Sequence, residues 1–378
     1  MQNNRKVTGM CQNRPDLIFI TQEQFGYHSG TYYHCMYLRD RYNITCISWD
    51  HGQAKIELAG VQLEYVCRTG GPFRIIRMLR KIFDKTRSNR TIIFIKYFKG
   101  INVVIRLLRR HNPIVLDIRT GSDDQSRVKR YIQDLNMKLE CKLFSNITII
   151  SESLASKIGL AQQATLLPLG ADVISHTEKH YDRLDLLYVG SLYNRNIDEA
   201  VEGFARFYRE YRQKIPLQFT IIGEGLGDET AILKKKVHEH GLENIVHILG
   251  IVPHNQLQEH FDTHNIGVSY IPMTDYYDVQ PSLKTFEYLL SGLVVIGTAT
   301  FENRLVINDS NGVLTNDSPE GFYNALVELS ARMKTFDSIQ IRQNALQFNW
   351  KKIANDLDNY LRTLLPESVR PTALPPQN

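Results

Sequence analysis

At 378 residues, with 43% hydrophobic and 22% charged side chains, the chain exceeds what one hydrophobic core ordinarily organises, so two globular domains are expected. A net charge of +5 hides an asymmetry: residues 68–130 hold 17 Lys and Arg against 4 Asp and Glu, and the remainder is acidic. No apolar run approaches the ~18 residues of a membrane span, and no zinc-finger, helix-turn-helix or RNP-like signature accompanies the basic block, which argues against nucleic acid as a partner.

In chain order, Met1–Arg14 is polar and lacks an apolar core, so no signal peptide is expected. A strand at Leu17–Thr21 leads through Gly26-Tyr27-His28-Ser29-Gly30 into a helix at Tyr32–Arg41. Glycine at 26 and 30 either lets the backbone approach a ligand or makes a tight turn. Strands at Ile44–Ser48 and Gln62–Cys67 precede a helix at Phe73–Lys85, where Arg74, Arg77, Arg80, Lys81 and Lys85 are interleaved with Phe73, Ile75, Ile76, Leu79 and Ile82. A basic amphipathic helix of this kind suits an anionic membrane surface, each nearby cation contributing ~1 kcal/mol; the plain alternative is a solvated basic face. Strands at Thr91–Ile95, Ile114–Ile118, Ile147–Ser151 and Thr165–Leu167 then alternate with helices at Ile101–Arg110, Ser126–Cys141 and Glu152–Ile158. That alternation is typical of a parallel, doubly wound sheet. Five cysteines (Cys11, Cys35, Cys46, Cys67, Cys141) lack CxxC spacing, which favours free thiols in a reducing cytosol over disulfides or zinc.

Polar, aperiodic sequence at 173–184 reads as a linker between a first domain (1–172) and a second (185–349). The second series has strands at Leu186–Val189, Leu217–Gly223, Val246–Leu249, Ile266–Tyr270 and Val294–Gly297, with helices at Asp198–Lys214, Glu229–Glu239 and 319–333. A closing helix over 350–365 is expected to pack back toward the first domain, and the Pro-rich tail 366–378 to be disordered. Two loops follow strands directly. One contains Gly190 and Arg195, whose guanidinium suits a diphosphate. The other, Gly223-Glu224-Gly225-Leu226-Gly227, falls short of a dinucleotide fingerprint because Asp228 stands where the third glycine belongs. The most informative stretch follows Ile266–Tyr270. Pro281 and Ser282 suit a turn and N-cap, Gly292 suits the position after a helix, and between them Leu283, Phe286 and Leu290 share one face. Lys284 and Glu287 lie on another face, Lys284 in the first turn and Glu287 one turn deeper. Free amides and Lys284 suit a phosphate, and Glu287 a sugar diol; an exposed i,i+3 ion pair is the bland alternative.

In this order the segments resemble glycosyltransferase family 4 (glycosyl transferases group 1), a family of retaining enzymes. The resemblance rests on Leu187-Tyr188-Val189-Gly190-Ser191-Leu192, Phe219-Thr220-Ile221-Ile222-Gly223-Glu224-Gly225, Val246–Pro253 and Pro281-Ser282-Leu283-Lys284-Thr285-Phe286-Glu287-Tyr288. In the first half, Leu116-Asp117-Ile118-Arg119-Thr120 and Ile149-Ile150-Ser151-Glu152-Ser153-Leu154 also look familial, as does Leu167-Pro168-Leu169-Gly170-Ala171-Asp172. The fold it implies is α/β, GT-B: two doubly wound Rossmann-like domains facing across a cleft.

The implied activity is metal-independent transfer of a hexose-type sugar from a UDP- or GDP-linked donor, with no cofactor. The acceptor is a saccharide or a polyprenyl-linked saccharide in bacterial surface polysaccharide synthesis. The setting is cytoplasmic, peripheral on an anionic membrane through Phe73–Lys85. Arg195 and Lys284 take the catalytic charge-stabilising role, and Gly190, Gly223, Glu224, Gly225, Ser282, Leu283 and Glu287 bind the nucleotide sugar. Gly30, Asp117, Arg119 and Asp278 are candidates for the donor or acceptor cleft; Arg119 serves equally as a domain-interface ion pair. Two departures stand out: Val279 occupies the place of the family's first glutamate, for which Asp278 is a candidate substitute, and Ser191 a place often held by arginine. The alternatives are a nucleotide-sugar epimerase of the same fold and a non-catalytic nucleotide-sugar-binding protein.

Overall fold

The structure, a computed structural model, describes residues 14–71, 73–88, 91–122, 124, 126–367 and 370. Its first domain runs β1 (Asp16–Thr21), α1 (Ser29–Leu38), β2 (Asn43–Asp50), β3 (Val61–Cys67), α2 (Phe73–Lys85), β4 (Ile92–Lys96), α3 (Ile101–Leu108), β5 (Ile114–Ile118), α4 (Arg127–Cys141), β6 (Asn146–Ile149), α5 (Glu152–Ile158) and β7 (Ala164–Leu166). The second runs β8 (Leu184–Val189), α6 (Ile197–Tyr211), β9 (Leu217–Ile222), α7 (Glu229–Glu239), β10 (Val246–Gly250), α8 (Leu257–Thr263), β11 (Ile266–Ser269), α9 (Leu283–Leu290), β12 (Val294–Thr298), α10 (Phe301–Arg304), β13 (Gly312–Thr315), α11 (Pro319–Arg332) and α12 (Ser338–Ala345). The chain ends its regular structure with α13 (Trp350–Thr363).

Both sheets are parallel. The first has seven strands in the order β3-β2-β1-β4-β5-β6-β7, the second six in the order β10-β9-β8-β11-β12-β13. Helices on both faces of a parallel sheet require strands that are apolar throughout; β5 and β12 are buried at every position. Each sheet reverses its winding once, between β1 and β4 and between β8 and β11. Connections diverge at such a point and leave a crevice outside the strands' carboxyl ends, where ligands of these folds bind. The two domains meet at that end. Ser151 Oγ donates to the Val279 carbonyl (3.0 Å), and Thr120 Oγ1 lies 3.2 Å from the Tyr276 hydroxyl.

Helix α13 packs on the first domain. Trp350 stacks on Tyr33 of α1, ring centroids 5.2 Å apart, and a Cβ on Gly170 would fall 2.5 Å from the indole, so only glycine lets the chain pass there. The Ala171 N–H donates to the Phe348 carbonyl (2.8 Å) and the Trp350 N–H to the Ala171 carbonyl (3.1 Å), which fixes the crossing. The buried Asp358 accepts from Arg41 (2.7 Å), Tyr42 (2.8 Å) and Arg362 (2.9 Å). The polar stretch 173–184 is packed rather than loose. Amides of Ile174 and Ser175 both donate to Ser291 Oγ at 3.2 Å, and burial pushes the Lys179 ammonium down to about 8.

Four elements of the second domain went unread in the sequence: α8, α10, β13 and α12. Each is anchored by too few apolar positions to show a period. For α8 these are Leu257 and Phe261, for α12 Ile341 and Ala345. Helix α1 starts at Ser29, three residues before the expected start, because Gly30 lies inside its first turn and only Gly26 (φ +90°) makes the tight bend. Cys11, the segment 1–13, Asp123 and most of the tail 366–378 lie outside the described residues.

The α13 anchor yields a prediction. Asp358→Ala leaves the Arg41 charge and the buried Tyr42 hydroxyl without their acceptor, and should destabilise the protein by about 2–4 kcal/mol. Urea unfolding followed by tryptophan fluorescence reads the loss, since Trp350 sits at the head of the same helix.

Candidate functional site

A cavity of about 450 Å³ opens between the carboxyl ends of β8 and β11. Three segments line it: the loop after β8 (Val189, Gly190, Ser191, Arg195), the turn after β10 (His254, Leu257) and the approach to α9 with its first turns (Ile271, Tyr276, Tyr277, Gln280–Lys284, Glu287). Its floor depends on two glycines. Gly190 (φ +149°) and Gly223 (φ +146°) hold conformations that side chains rarely adopt. A Cβ on Gly223 would lie 1.8 Å from the Gly190 carbonyl oxygen, and one on Gly190 would lie 3.0 Å from Lys284 Nζ.

Arg195 is flanked by Asn194 (φ 53°) and Asn196 (φ 52°), both left-handed, a conformation that asparagine tolerates better than most residues. The double bend presents its guanidinium to the cavity. The group lies 4.6 Å over the Tyr277 ring and donates to that residue's hydroxyl and to the Asn194 carbonyl (3.1 Å). Lys284, in the first turn of α9, places Nζ 3.9 Å from the centre of the Tyr188 ring. Burial, helped by the Arg195 charge and opposed by Glu287, pushes its ammonium down to about 7. Ser282 holds the N-cap position, but its hydroxyl meets Ser269 Oγ (3.2 Å), so no side chain caps the first amides of α9. One turn on, the Glu287 carboxylate stands 4.0 Å from His254 Nε2 and holds that imidazole above its ordinary pKa. Two cations beside the positive end of a helix form a pocket for a polyanion, and Glu287 adds a hydrogen-bond acceptor at its edge.

Of the residues singled out in the sequence, Gly190, Arg195, Ser282, Leu283, Lys284 and Glu287 line this one cavity. Gly223, Glu224 and Gly225 back it instead: the Glu224 carbonyl accepts from Leu192 N (3.0 Å), and a Cβ on Gly225 would strike Glu229. Asp278 caps another element, accepting from Phe301 N (2.7 Å), and with Val279 lines a separate groove of about 620 Å³. Asp117 and Arg119 form a buried pair (2.6 Å) inside the first domain. Arg119 also donates to the Leu167 carbonyl (2.9 Å), and its second terminal nitrogen has no partner. Gly30 sits beside His28, whose imidazole burial and the Lys96 charge push down to about 4. In α2, Met78 and Ile82 are buried, and Lys81 and Lys85 pair with Glu64 at 3.0 and 2.8 Å.

Sequence reasoning missed Tyr188, His254, Tyr277 and Gln280. Tyr277 clamps Arg195, and the buried Gln280 amide nitrogen has no acceptor. Only His254 carried a local signal, its place just after Pro253 at the end of a strand. Among the described residues no three His, Cys, Asp or Glu side chains are grouped to hold a metal ion.

Residues 183–332 match the sequence profile of the family described as glycosyl transferases group 1. No curated protein matches the chain. Among solved structures, sucrose-phosphate synthase from Thermosynechococcus elongatus superposes with a TM-score of 0.73 at 15% identity, over 93% of this chain and 99% of that one. HepE from Anabaena in complex with UDP gives 0.70 at 15% identity, over 92% and 100%, and was also solved with UDP-glucose. A glycosyltransferase from Rickettsia africae gives 0.68 at 10% identity, over 94% and 100%. At such identities the likeness carries the fold. The architecture is GT-B, and its second domain carries the group 1 profile.

The crossing of the two glycine loops is testable without any ligand. Gly223→Ala forces a clash with the Gly190 carbonyl and strains the backbone by about 1–3 kcal/mol. A matching fall in thermal stability is expected, whereas Gly241→Ala, where a Cβ would meet nothing within 4 Å, should show the backbone strain alone.

Proposed function

We propose that this protein is a retaining glycosyltransferase that moves a hexose-type sugar from a UDP- or GDP-linked donor to a saccharide or polyprenyl-linked acceptor during assembly of a bacterial surface polysaccharide. One observation carries the reading: Arg195, Lys284 and the uncapped start of α9 converge on one cavity with Glu287 one turn behind them. Rupture of a nucleotide-sugar bond sends a nucleoside diphosphate away, so negative charge grows on the β-phosphate oxygens. Arg195, Lys284 and the first amides of α9, at Leu283 and Lys284, stabilise that charge without reorganising. Positive potential supplied by side chains and backbone supports transfer that needs no metal. Glu287 accepts from the ribose hydroxyls.

Retention follows a front-face course, in which the departing phosphate takes the acceptor proton and no carboxylate nucleophile is required. The basic excess over residues 68–130 draws the first domain to an anionic cytoplasmic leaflet, where polyprenyl carriers confine the acceptor. Arg74 and Arg80 on α2 contribute to that attraction.

Two outcomes test the assignment. Glu287→Gln should weaken nucleotide-sugar binding about 10–100-fold, the worth of a charged hydrogen bond, and Lys284→Ala should lower kcat about 100–1,000-fold. Unaltered kinetics in both variants would overturn the roles given to Lys284 and Glu287. Products from a panel of donors, with and without lipid-linked acceptor, separate transfer from epimerisation and from binding alone.

The pH dependence has a defined sign. Between about 7 and the ordinary 10.5, Lys284 is mostly neutral in the empty pocket, and a diphosphate beside it favours the charged form. Binding therefore takes up a proton above pH 7, and affinity falls as pH rises. Calorimetric titration with UDP or GDP at pH 8.5, in buffers of differing ionisation enthalpy, should show uptake that Lys284→Met abolishes.

A further inference from the structure

Helix α4 presents its apolar side to solvent. Met137 and Cys141 hold its buried side. Val128, Ile132, Leu135 and Leu139 recur at i, i+4, i+7 and i+11, so they share one stripe facing away from that core. These four and Tyr131 are between 41% and 69% exposed. The end of α3 adds Leu107 and Leu108, both exposed, and Arg106 of α3 donates to the Leu143 carbonyl just beyond α4 (2.9 Å). That hydrogen bond ties the carboxyl-terminal ends of the two helices together, and both leave large apolar side chains exposed, which in contiguous patches free monomers rarely do.

The charge around the stripe selects its occupant. Exposed Arg127, Lys129 and Lys142 rim it, with Lys138 on the flank, and Arg110 is exposed two residues beyond the end of α3. Both acids of α4 are engaged within the first domain: Asp134 accepts from the Ser122 amide (3.0 Å) and Glu140 from the Asn102 amide group (2.6 Å). An apolar stripe with a cationic rim fits the interface of an anionic bilayer, whereas a second copy would set one cationic rim against another. We propose that α4, with the end of α3, is the membrane-docking face of this protein, its Val128–Leu139 stripe entering the acyl boundary and its rim meeting lipid phosphates.

Helix α2 is placed differently. Two of its apolar residues are spent on the core and two of its lysines on Glu64, so it adds attraction but only Phe73 and Ile76 to insert. At the cleft end of α4, Arg130 reaches toward Asp275 of the second domain (3.8 Å), so docking through α4 sets the mouth of the interdomain cleft at the lipid surface. The inference rests on the proposed function only in taking a bilayer as the place where the acceptor waits.

Flotation of the full chain with vesicles of equal parts phosphatidylglycerol and phosphatidylcholine, against pure phosphatidylcholine, tests it. The wild type should float with the anionic vesicles alone. The triple variant Ile132→Gln, Leu135→Gln, Leu139→Gln keeps helix propensity at exposed positions and should lose about tenfold or more in partition; Arg74→Glu with Arg80→Glu on α2 should lose less. Tyr131→Trp should be quenched by brominated lipid. Wild type that ignores anionic vesicles, or a triple variant that floats like wild type, overturns the proposal. So does a triple variant that turns a dimer into a monomer in sedimentation while lipid binding is unchanged, because the face then belongs to a second copy. UDP and GDP titrations of the same proteins keep the two readings apart. A wild type that floats as expected but binds neither nucleotide removes the proposed function and leaves the docking face standing.

Discussion

Two basic groups held in one pocket, which cannot both keep a charge there cheaply, set the terms for this structure. Arg195 and Lys284 line the same cavity, where burial and the arginine's charge hold the lysine near a neutral pKa, and a single carboxylate, Glu287, opposes them. Holding both charged is a cost that the empty pocket avoids above about pH 7 by leaving the lysine neutral. A polyanion removes it, and a polyanion that gains charge during reaction gains the most. The aromatic faces of Tyr188 and Tyr277 seat the lysine and the arginine without an acid that would neutralise them, since a ring attracts a cation but leaves its charge in place. A carboxylate at either position would have stabilised the apo protein and weakened the site.

The rest of the second domain keeps that arrangement in place. Reversal of winding between β8 and β11 opens the crevice, and the crossing of Gly190 over Gly223 lets the backbone close beneath Lys284. Two left-handed asparagines aim Arg195. The first domain bears on the same segment from across the cleft: Ser151 holds the Val279 carbonyl and Thr120 meets Tyr276, next to the tyrosine that clamps Arg195. The contacts between the domains and the clamp on the arginine therefore share one short segment, residues 276–279.

Much of this was legible in the sequence because parallel strands buried on both faces write themselves as largely apolar runs, as Leu17–Ile20 of β1 and Val294–Ile296 of β12 do. The pocket's ends were legible for a similar reason. Glycines at strand termini and a lysine and glutamate three apart in a short helix are local patterns. What stayed hidden depends on contacts distant in sequence. Tyr277 reads as any loop tyrosine until Arg195, 82 residues away, is folded against it. Asp278 stood next to Val279 in the sequence and so invited a role beside Glu287, but its carboxylate is spent on the Phe301 amide. Helix α4 was read as an ordinary helix because an outward apolar stripe and an inward one have the same period; only the fold tells which side meets the sheet.

The most direct test of the central claim is a crystal structure of the protein with UDP or GDP bound. The β-phosphate is expected between Lys284 Nζ, the Arg195 guanidinium and the first amides of α9, with the ribose hydroxyls on Glu287. Nucleotide density elsewhere, such as in the groove lined by Asp278 and Val279, with Lys284 still stacked against Tyr188 and untouched, would contradict it.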